Sequence, residues 1–271
     1  MNVLLIGAAG AAGVAIQKDL ADHGHRVRCV DLGPPRYPIE ELLDLFGYDR
    51  AIPDVEWVYR DVTEKGAAKE IVQNMDVCVY CALSVNFQAN DPGGQFTVNL
   101  TAPYTLAQAG LEAGLDRFVY ASTVSVNLDR GEGHKGVLTE ETPLATTAAY
   151  AMTKWLAEQM LRSFARLTRL RAVCLRLGTL RPHYRFVMPA LRDAYAQYFV
   201  DLRDVARAFR LAVENTAIQF DVLNIVSQGD PVICSPERAK AVLGFETHYN
   251  GQEHFSKLYH RQLEFMARHP D

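Results

Sequence analysis

Seven short runs of apolar and β-branched residues recur along the chain: NVLLIG (2–7), RVRCVD (26–31), VEWVYR (55–60), DVCVYCA (76–82), RFVYAS (117–122), RAVCLRL (171–177) and DVLNIV (221–226). They are apolar at neighbouring positions, with little alternation, and such a strand is buried on both faces. Helical periodicity fills the intervals near 11–23, 66–74, 94–113, 147–168 and 201–214. Strand and helix in turn predict an α/β fold, a doubly wound parallel sheet with right-handed crossovers. In the tail, CSPERAKAVLGF predicts a helix with Ser235 as N-cap, Pro236 at its first position and Gly244 as its stop. A last helix is expected over about 251–268. Residues 1–178 with 201–226 then form the core, and 179–200 with 227–271 a small C-terminal substrate lobe.

Composition narrows the partners. The 271 residues suffice for one sizeable core. A formal net charge of -4, from 28 basic and 32 acidic residues with no basic run, argues against nucleic acid as a partner. No apolar stretch approaches the roughly 18 residues of a membrane span, so no membrane partner is expected. The apolar start MNVLLIG lacks a preceding basic segment, so no signal peptide is expected and a cytoplasmic location is. The five cysteines sit mostly inside apolar runs, as buried thiols in a reducing compartment do. Cys78 and Cys81 form a C-x-x-C pair within a strand, where residues three apart face opposite sides, so no metal is expected there.

The first candidate chemistry is IGAAGAAG. Gly7, Gly10 and Gly13 follow a strand and open a helix, the context of a Rossmann dinucleotide-binding unit, although the spacing is G-x-x-G-x-x-G. Gly7 permits the tight turn, Gly10 admits a pyrophosphate to the backbone, and Gly13 lets the helix pack close to the sheet. Asp31 ends the next strand 18 residues after Gly13, where a carboxylate accepts hydrogen bonds from ribose hydroxyls and repels a 2′-phosphate. NAD is favoured over NADP, with Arg36 nearby keeping NADP open. In YRDVTEKG, Asp61 and the Val62 backbone either meet the adenine edge, or Asp61 caps the following helix.

The second is AAYAMTKWLAEQ, where Tyr150 and Lys154 lie one turn apart on one helix face. RFVYASTVSVN places Ser122 and Thr123 at the end of the fifth strand. A strand-end hydroxyl facing a Tyr–Lys pair at a helix start resembles the extended short-chain dehydrogenase/reductase family. The resemblance also takes in Asn99 of VNLTAPYTLAQAG, CLRLGTLRP, YFVDLRDVARAF and the late LGF. It implies that Tyr150 is the general base, that Lys154 favours the phenolate and holds the nicotinamide ribose, and that Thr123 bonds the reacting oxygen. It implies a cofactor path past Gly7, Gly10, Ala11, Ala12, Gly13, Asp31, Leu32, Asp61, Val62, Cys81, Ala82, Leu83, Asn99, Ala121, Ser122, Tyr150, Lys154 and Leu177. It further implies a homodimer built on the helices near 94–113 and 150–168.

Only residues 179–199 separate the sixth strand from FVDLRDVARAF, which leaves little room to grip a nucleotide and favours a small substrate. LSVNF, ASTVSV, RLGT and HYRFVM look like the small uronate dehydrogenases. That likeness implies that Arg185 clamps a carboxylate and that Ser84, Thr123, Val124 and Thr179 line the substrate. Val124 and Phe186 depart from that pattern, and Arg185 alternatively stands in solvent or pairs with an acid such as Asp193. His134 reads as a surface histidine of a glycine-rich loop. The leading expectation is a dehydrogenase of a small sugar, sugar acid or polyol. Against it stand an epimerase or dehydratase that retains its NAD, and a non-catalytic dinucleotide sensor.

Overall fold

The computed structural model describes residues 1–84, 91–127, 136–182, 199–227, 232–249 and 252–269, with the side chains of 252–256 left aside. Seven strands form one parallel sheet: β1 (Asn2–Ile6), β2 (Arg26–Asp31), β3 (Glu56–Tyr59), β4 (Val77–Tyr80), β5 (Arg117–Thr123), β6 (Arg171–Leu177) and β9 (Phe220–Ile225). Their order is β3-β2-β1-β4-β5-β6-β9. The chain reverses direction across the sheet between β1 and β4, and a crevice opens there at the strands' carboxyl ends.

The apolar runs are buried on both sides for a visible reason. Alternate residues such as Val3, Leu5, Cys29, Val79, Val119 and Leu175 pack under α1 (Ala11–Asp22), α2 (Ile39–Phe46) and α7 (Leu202–Glu214). Their neighbours Leu4, Ile6, Cys78, Tyr80, Phe118, Tyr120 and Cys174 pack under α3 (Ala67–Ile71), α5 (Ala102–Ala113) and α6 (Ala149–Leu167). Cys78 thus belongs to one layer, while Cys81 packs against the other. Both are free thiols whose pKa burial pushes up, to about 12 for Cys81.

Helix α2 was not among the predicted elements. IEELLDLF buries Leu42, Leu43, Leu45 and Phe46, carries Glu40 and Glu41 in its first turn and stops at Gly47, whose φ of 84° is left-handed. The predicted helix near 94–113 is three pieces: α4 (Pro92–Phe96), one wide π-helical turn at Thr97–Thr101, and α5. In that turn the carbonyls of Val98 and Asn99 accept hydrogen bonds from the phenols of Tyr80 and Tyr120. Two stacked sheet tyrosines thereby satisfy acceptors that an irregular turn exposes. Tyr104 on α5 and Leu167 on α6 are exposed in the single chain.

Beyond β6 the chain enters β7 (Thr179–Arg181), which pairs in parallel with β8 (Phe199–Asp201) as a separate two-stranded sheet. The tail helices α8 (Glu237–Leu243) and α9 (Gln252–Arg268) send Ala239, Leu243 and Phe265 into the same core as β1 and α7. The N-cap of α8 is Pro236, one residue later than predicted; Ser235 Oγ still accepts from the Glu237 amide at 3.3 Å. Gly244 ends the helix with φ 64°. Among the described residues no helix is long and apolar enough to cross a membrane.

One contact fixes the slant of α6 against the sheet. Glu158 accepts from Arg176 Nε at 2.9 Å and Nη2 at 2.8 Å, and also from the Ser122 hydroxyl. Arg176 Nη1 continues to Asn127 Oδ1 at 2.6 Å and the Glu140 carbonyl at 3.2 Å. Both ions are out of solvent, so removing one strands the other. Glu158→Ala is expected to lower the unfolding free energy by about 3–5 kcal/mol. Urea titration of both proteins measures this, and a loss below about 1 kcal/mol would contradict the role given to the pair.

Candidate active site

The glycine turn closes the carboxyl end of β1. Gly7 has φ 86°, and a Cβ there would lie 2.5 Å from the Ala82 amide nitrogen at the end of β4. A Cβ on Gly13 would lie 2.2 Å from the Gly7 carbonyl oxygen, so α1 packs on the turn through bare backbone. Gly10 differs: its Cβ would meet only the Gly7 oxygen, at 3.5 Å. The protein's own packing does not require glycine there, whereas close approach of a ligand to the N-terminus of α1 does.

Asp31, at the end of β2, reaches across to the same turn. Its Oδ2 accepts from the Ala9 amide and its Oδ1 from the Leu32 amide, each at 2.8 Å. Each oxygen has a second lone pair, so the carboxylate retains capacity for ribose hydroxyls. These residues fit a dinucleotide of the NAD type. Leu32 and Leu83 stand exposed at the ends of β2 and β4. Asp61 is the head of an Asx turn, its Oδ1 accepting from the Thr63 amide at 2.8 Å and hydroxyl at 2.7 Å. Val62 is buried beside it. The Cys81 thiol donates back to the Ile6 carbonyl at 3.1 Å.

Helix α6 carries the second half of the site. Tyr150, Lys154 and Glu158 recur every four residues and face β5 and β6 together. The Tyr150 hydroxyl is hydrogen-bonded to the Thr123 hydroxyl, which also accepts from the Ser125 amide at 3.2 Å. Lys154 is 3% exposed; its Nζ donates to the Ala121 carbonyl at 2.9 Å and sits 4.7 Å from the Tyr120 ring centre. Burial pulls its pKa down to about 8, opposed by Cys81 and Cys174. Burial likewise raises the Tyr150 pKa, and the Thr123 hydrogen bond opposes the rise. The resemblance implied a phenol lowered by Lys154 and a positive nicotinamide together; in the chain alone burial outweighs the Thr123 hydrogen bond and holds the phenol neutral.

Several other predicted residues face elsewhere. The Ser122 hydroxyl turns to Glu158, on the strand face opposite its neighbour. Asn99 is fully buried in the wide turn; its Nδ2 donates to Gln95 and Thr153, each at 3.1 Å, while its Oδ1 has no partner among the described residues. It therefore holds α6 to the segment 95–99. Val124 is buried with Leu138, Val226 and Cys234. Leu177 ends β6 in register with Thr123. Ser84 is buried with its Oγ against Gly94, and Thr179 is exposed at the start of β7. Arg185, His134, Phe186 and Asp193 lie outside the described residues. A cavity of about 720 Å³ at the opposite, amino-terminal edge of the sheet, lined by Lys18, His25 and Arg28 among others, touches none of these groups.

Two expectations follow from this geometry. Gly10→Ala should change the unfolding free energy by less than about 1 kcal/mol while weakening NAD binding at least about tenfold. Gly13→Ala should cost about 1–3 kcal/mol or more in stability. Thermal melts with NAD titration separate them, and equal stability losses would refute the distinction. Lys154 is charged in the unfolded chain up to pH 10.5 but neutral in the folded chain above about 8. Its contribution to stability therefore rises as pH climbs from about 8 to 10.5. Unfolding free energies of the wild type relative to Lys154→Met should improve by about 3 kcal/mol over that span. A flat difference would show that burial does not depress the lysine.

Residues 3–187 match the model of the NAD dependent epimerase/dehydratase family. A curated relative, the low-salt glycan biosynthesis protein Agl12 of Haloferax volcanii, is 31% identical over 167 residues, 60% of this chain and 52% of that protein. The chain thus spans about half the length of that relative. Among solved structures, MoeE5 in complex with UDP-glucuronic acid and NAD superposes with a TM-score of 0.78 at 20% identity, covering 99% of both chains. A mutated uronate dehydrogenase superposes with a TM-score of 0.74 at 17% identity, covering 96% of this chain and 86% of that one. With the glycine turn, Asp31 and the Thr123–Tyr150–Lys154 group set on and around one parallel sheet, the chain belongs to the NAD-dependent epimerase/dehydratase family.

Proposed function

We propose that the chain is an NAD-dependent oxidoreductase acting on a hydroxyl of a sugar, sugar acid or polyol. The observation that carries this reading is the hydroxyl pair of Thr123 and Tyr150, joined to each other at the carboxyl end of β5, with the buried Lys154 ammonium one turn along α6. A substrate hydroxyl inserted between the two takes one hydrogen bond from Thr123 and offers its proton to the Tyr150 oxygen. NAD, when bound, supplies the hydride acceptor. Lys154 favours the phenolate by its charge, against a burial that favours the phenol. Glycine at positions 7, 10 and 13 and the Asp31 carboxylate hold the dinucleotide.

Uronates are the first substrates to try, on the resemblance of the HYRFVM segment and on the likeness to a uronate dehydrogenase. A second reading is a nucleotide-sugar epimerase that keeps its NAD. It is favoured by the family's name and by the full-length likeness to a protein solved with UDP-glucuronic acid, which weakens the inference that a short connection at 179–199 excludes a nucleotide. The deciding assay follows reduced nicotinamide with glucuronate, galacturonate, aldoses, polyols and UDP-sugars, each with NAD and with NADP. Net NADH from one substrate supports the dehydrogenase; interconversion of UDP-sugars without net NADH supports the epimerase. In either case Tyr150→Phe should lower kcat by about 10²–10⁴-fold with NAD affinity unchanged. Unchanged turnover would remove Tyr150 from the chemistry.

A further inference from the structure

Among the described residues, the buried and half-buried arginines are, with one exception, engaged by oxygen through their side chains. Arg117 donates to the Val213 carbonyl, Arg176 to Glu158, and Arg203 to Asp201. The Arg181 side chain makes no hydrogen bond and no ion pair among the described residues. Its guanidinium carbon lies 4.6 Å from the ring centre of Phe199, which is itself buried. Burial is the one influence on its titration and pulls its pKa below the ordinary arginine value. The stacked ring supports the face of the guanidinium, while its five N–H groups point outward from the edge. Arg181 is only partly buried and none of its nitrogens is sealed from solvent, so the edge that the ring leaves uncovered is open to an oxyanion.

The place of Arg181 in the fold says which ligand. Leu177, the last residue of β6, is in register with Thr123 on the adjacent strand. Gly178 is tied to the Ile225 carbonyl at 3.0 Å, and β7 departs from that point with Arg181 at its end. Four residues at strand rise keep Arg181 within about 13 Å of Leu177, at the edge where the reactive hydroxyls lie. We propose that Arg181 anchors an anionic group of the substrate, a carboxylate or a phosphate, through the N–H fork of its guanidinium while Phe199 backs its face. This rests on reading the cleft as the site of a sugar hydroxyl. A planar fork suits either oxyanion bidentately, and the anchor would orient the far end of a substrate whose hydroxyl meets Thr123.

The test is calorimetric titration of the full-length protein with NAD present, using glucuronate, glucose 1-phosphate and neutral glucose. Expected is binding of at least one anionic probe to the wild type, weakened at least about 30-fold by Arg181→Met and partly restored by Arg181→Lys. Glucose affinity should stay within about twofold. Binding of glucuronate alone or of glucose 1-phosphate alone identifies the anion. Equal anion affinity in wild type and Arg181→Met, a parallel loss for glucose, or no binding of either anion to the wild type would each overturn the proposal. Because binding is read without turnover, a failed hydride-transfer assay leaves this result standing. Thermal melts of both variants check that each is folded at the titration temperature.

Discussion

A carboxylate and a guanidinium, both beyond the reach of water, decide where α6 lies. Taking Glu158 and Arg176 out of solvent is expensive, and the expense is offset because both carboxylate oxygens and all three guanidinium nitrogens are hydrogen-bonded. The fork clamps α6 to β6 at one height and one rotation. Tyr150 and Lys154 stand two and one turns earlier on the same helix face, so their positions over β5 follow from the clamp. The same cluster reaches Asn127 and, through Glu140, the amide of Asn224 on β9. Three strands and a helix thus share one polar knot beneath the crevice, and a rigid support of that kind is what a precise constellation of side chains requires.

Above the knot, desolvation sets the charge state. Burial acts on phenol and ammonium in opposite senses: it raises Tyr150 and lowers Lys154 to about 8, so near neutral pH the phenol stays protonated while the lysine keeps most of its charge. The cation–π contact of Lys154 with Tyr120 and its bond to the Ala121 carbonyl hold the ammonium in place.

The sheet was legible because a parallel strand covered on both faces leaves an apolar run that no surface element shows, and all seven runs became strands of one sheet. The glycine turn was legible for a similar reason: strand, three glycines and helix follow one another with a fixed purpose for each. Thr123 and Tyr150 were brought together as the spacing and the family resemblance implied. Partnerships across the fold were not legible. Nothing local in the strand RFVYAST tells that Ser122 faces Glu158 while Thr123 faces Tyr150, although strand alternation separates the two once the register is known. Helix α2 carried its signals openly in the spacing of Ile39, Leu42, Leu43 and Phe46 and the stop at Gly47. It was hidden by the prolines that precede it. Arg181 carried no local signal, since an arginine lacking an acid partner is a property of the fold alone.

The wide turn at Thr97–Thr101 has a consequence for how the chain tolerates change in length. Five residues close a loop of backbone that four close elsewhere, so the stretch before it is out of phase with α5 by about 100°, the angle of one residue. Loss of one residue here would restore ordinary winding and improve the local geometry. It would also swing Asn99 away from Thr153 and withdraw the carbonyls that Tyr80 and Tyr120 use. In this protein a regular helix would be the defect, and the irregular one is the form that keeps the sheet and α6 in step.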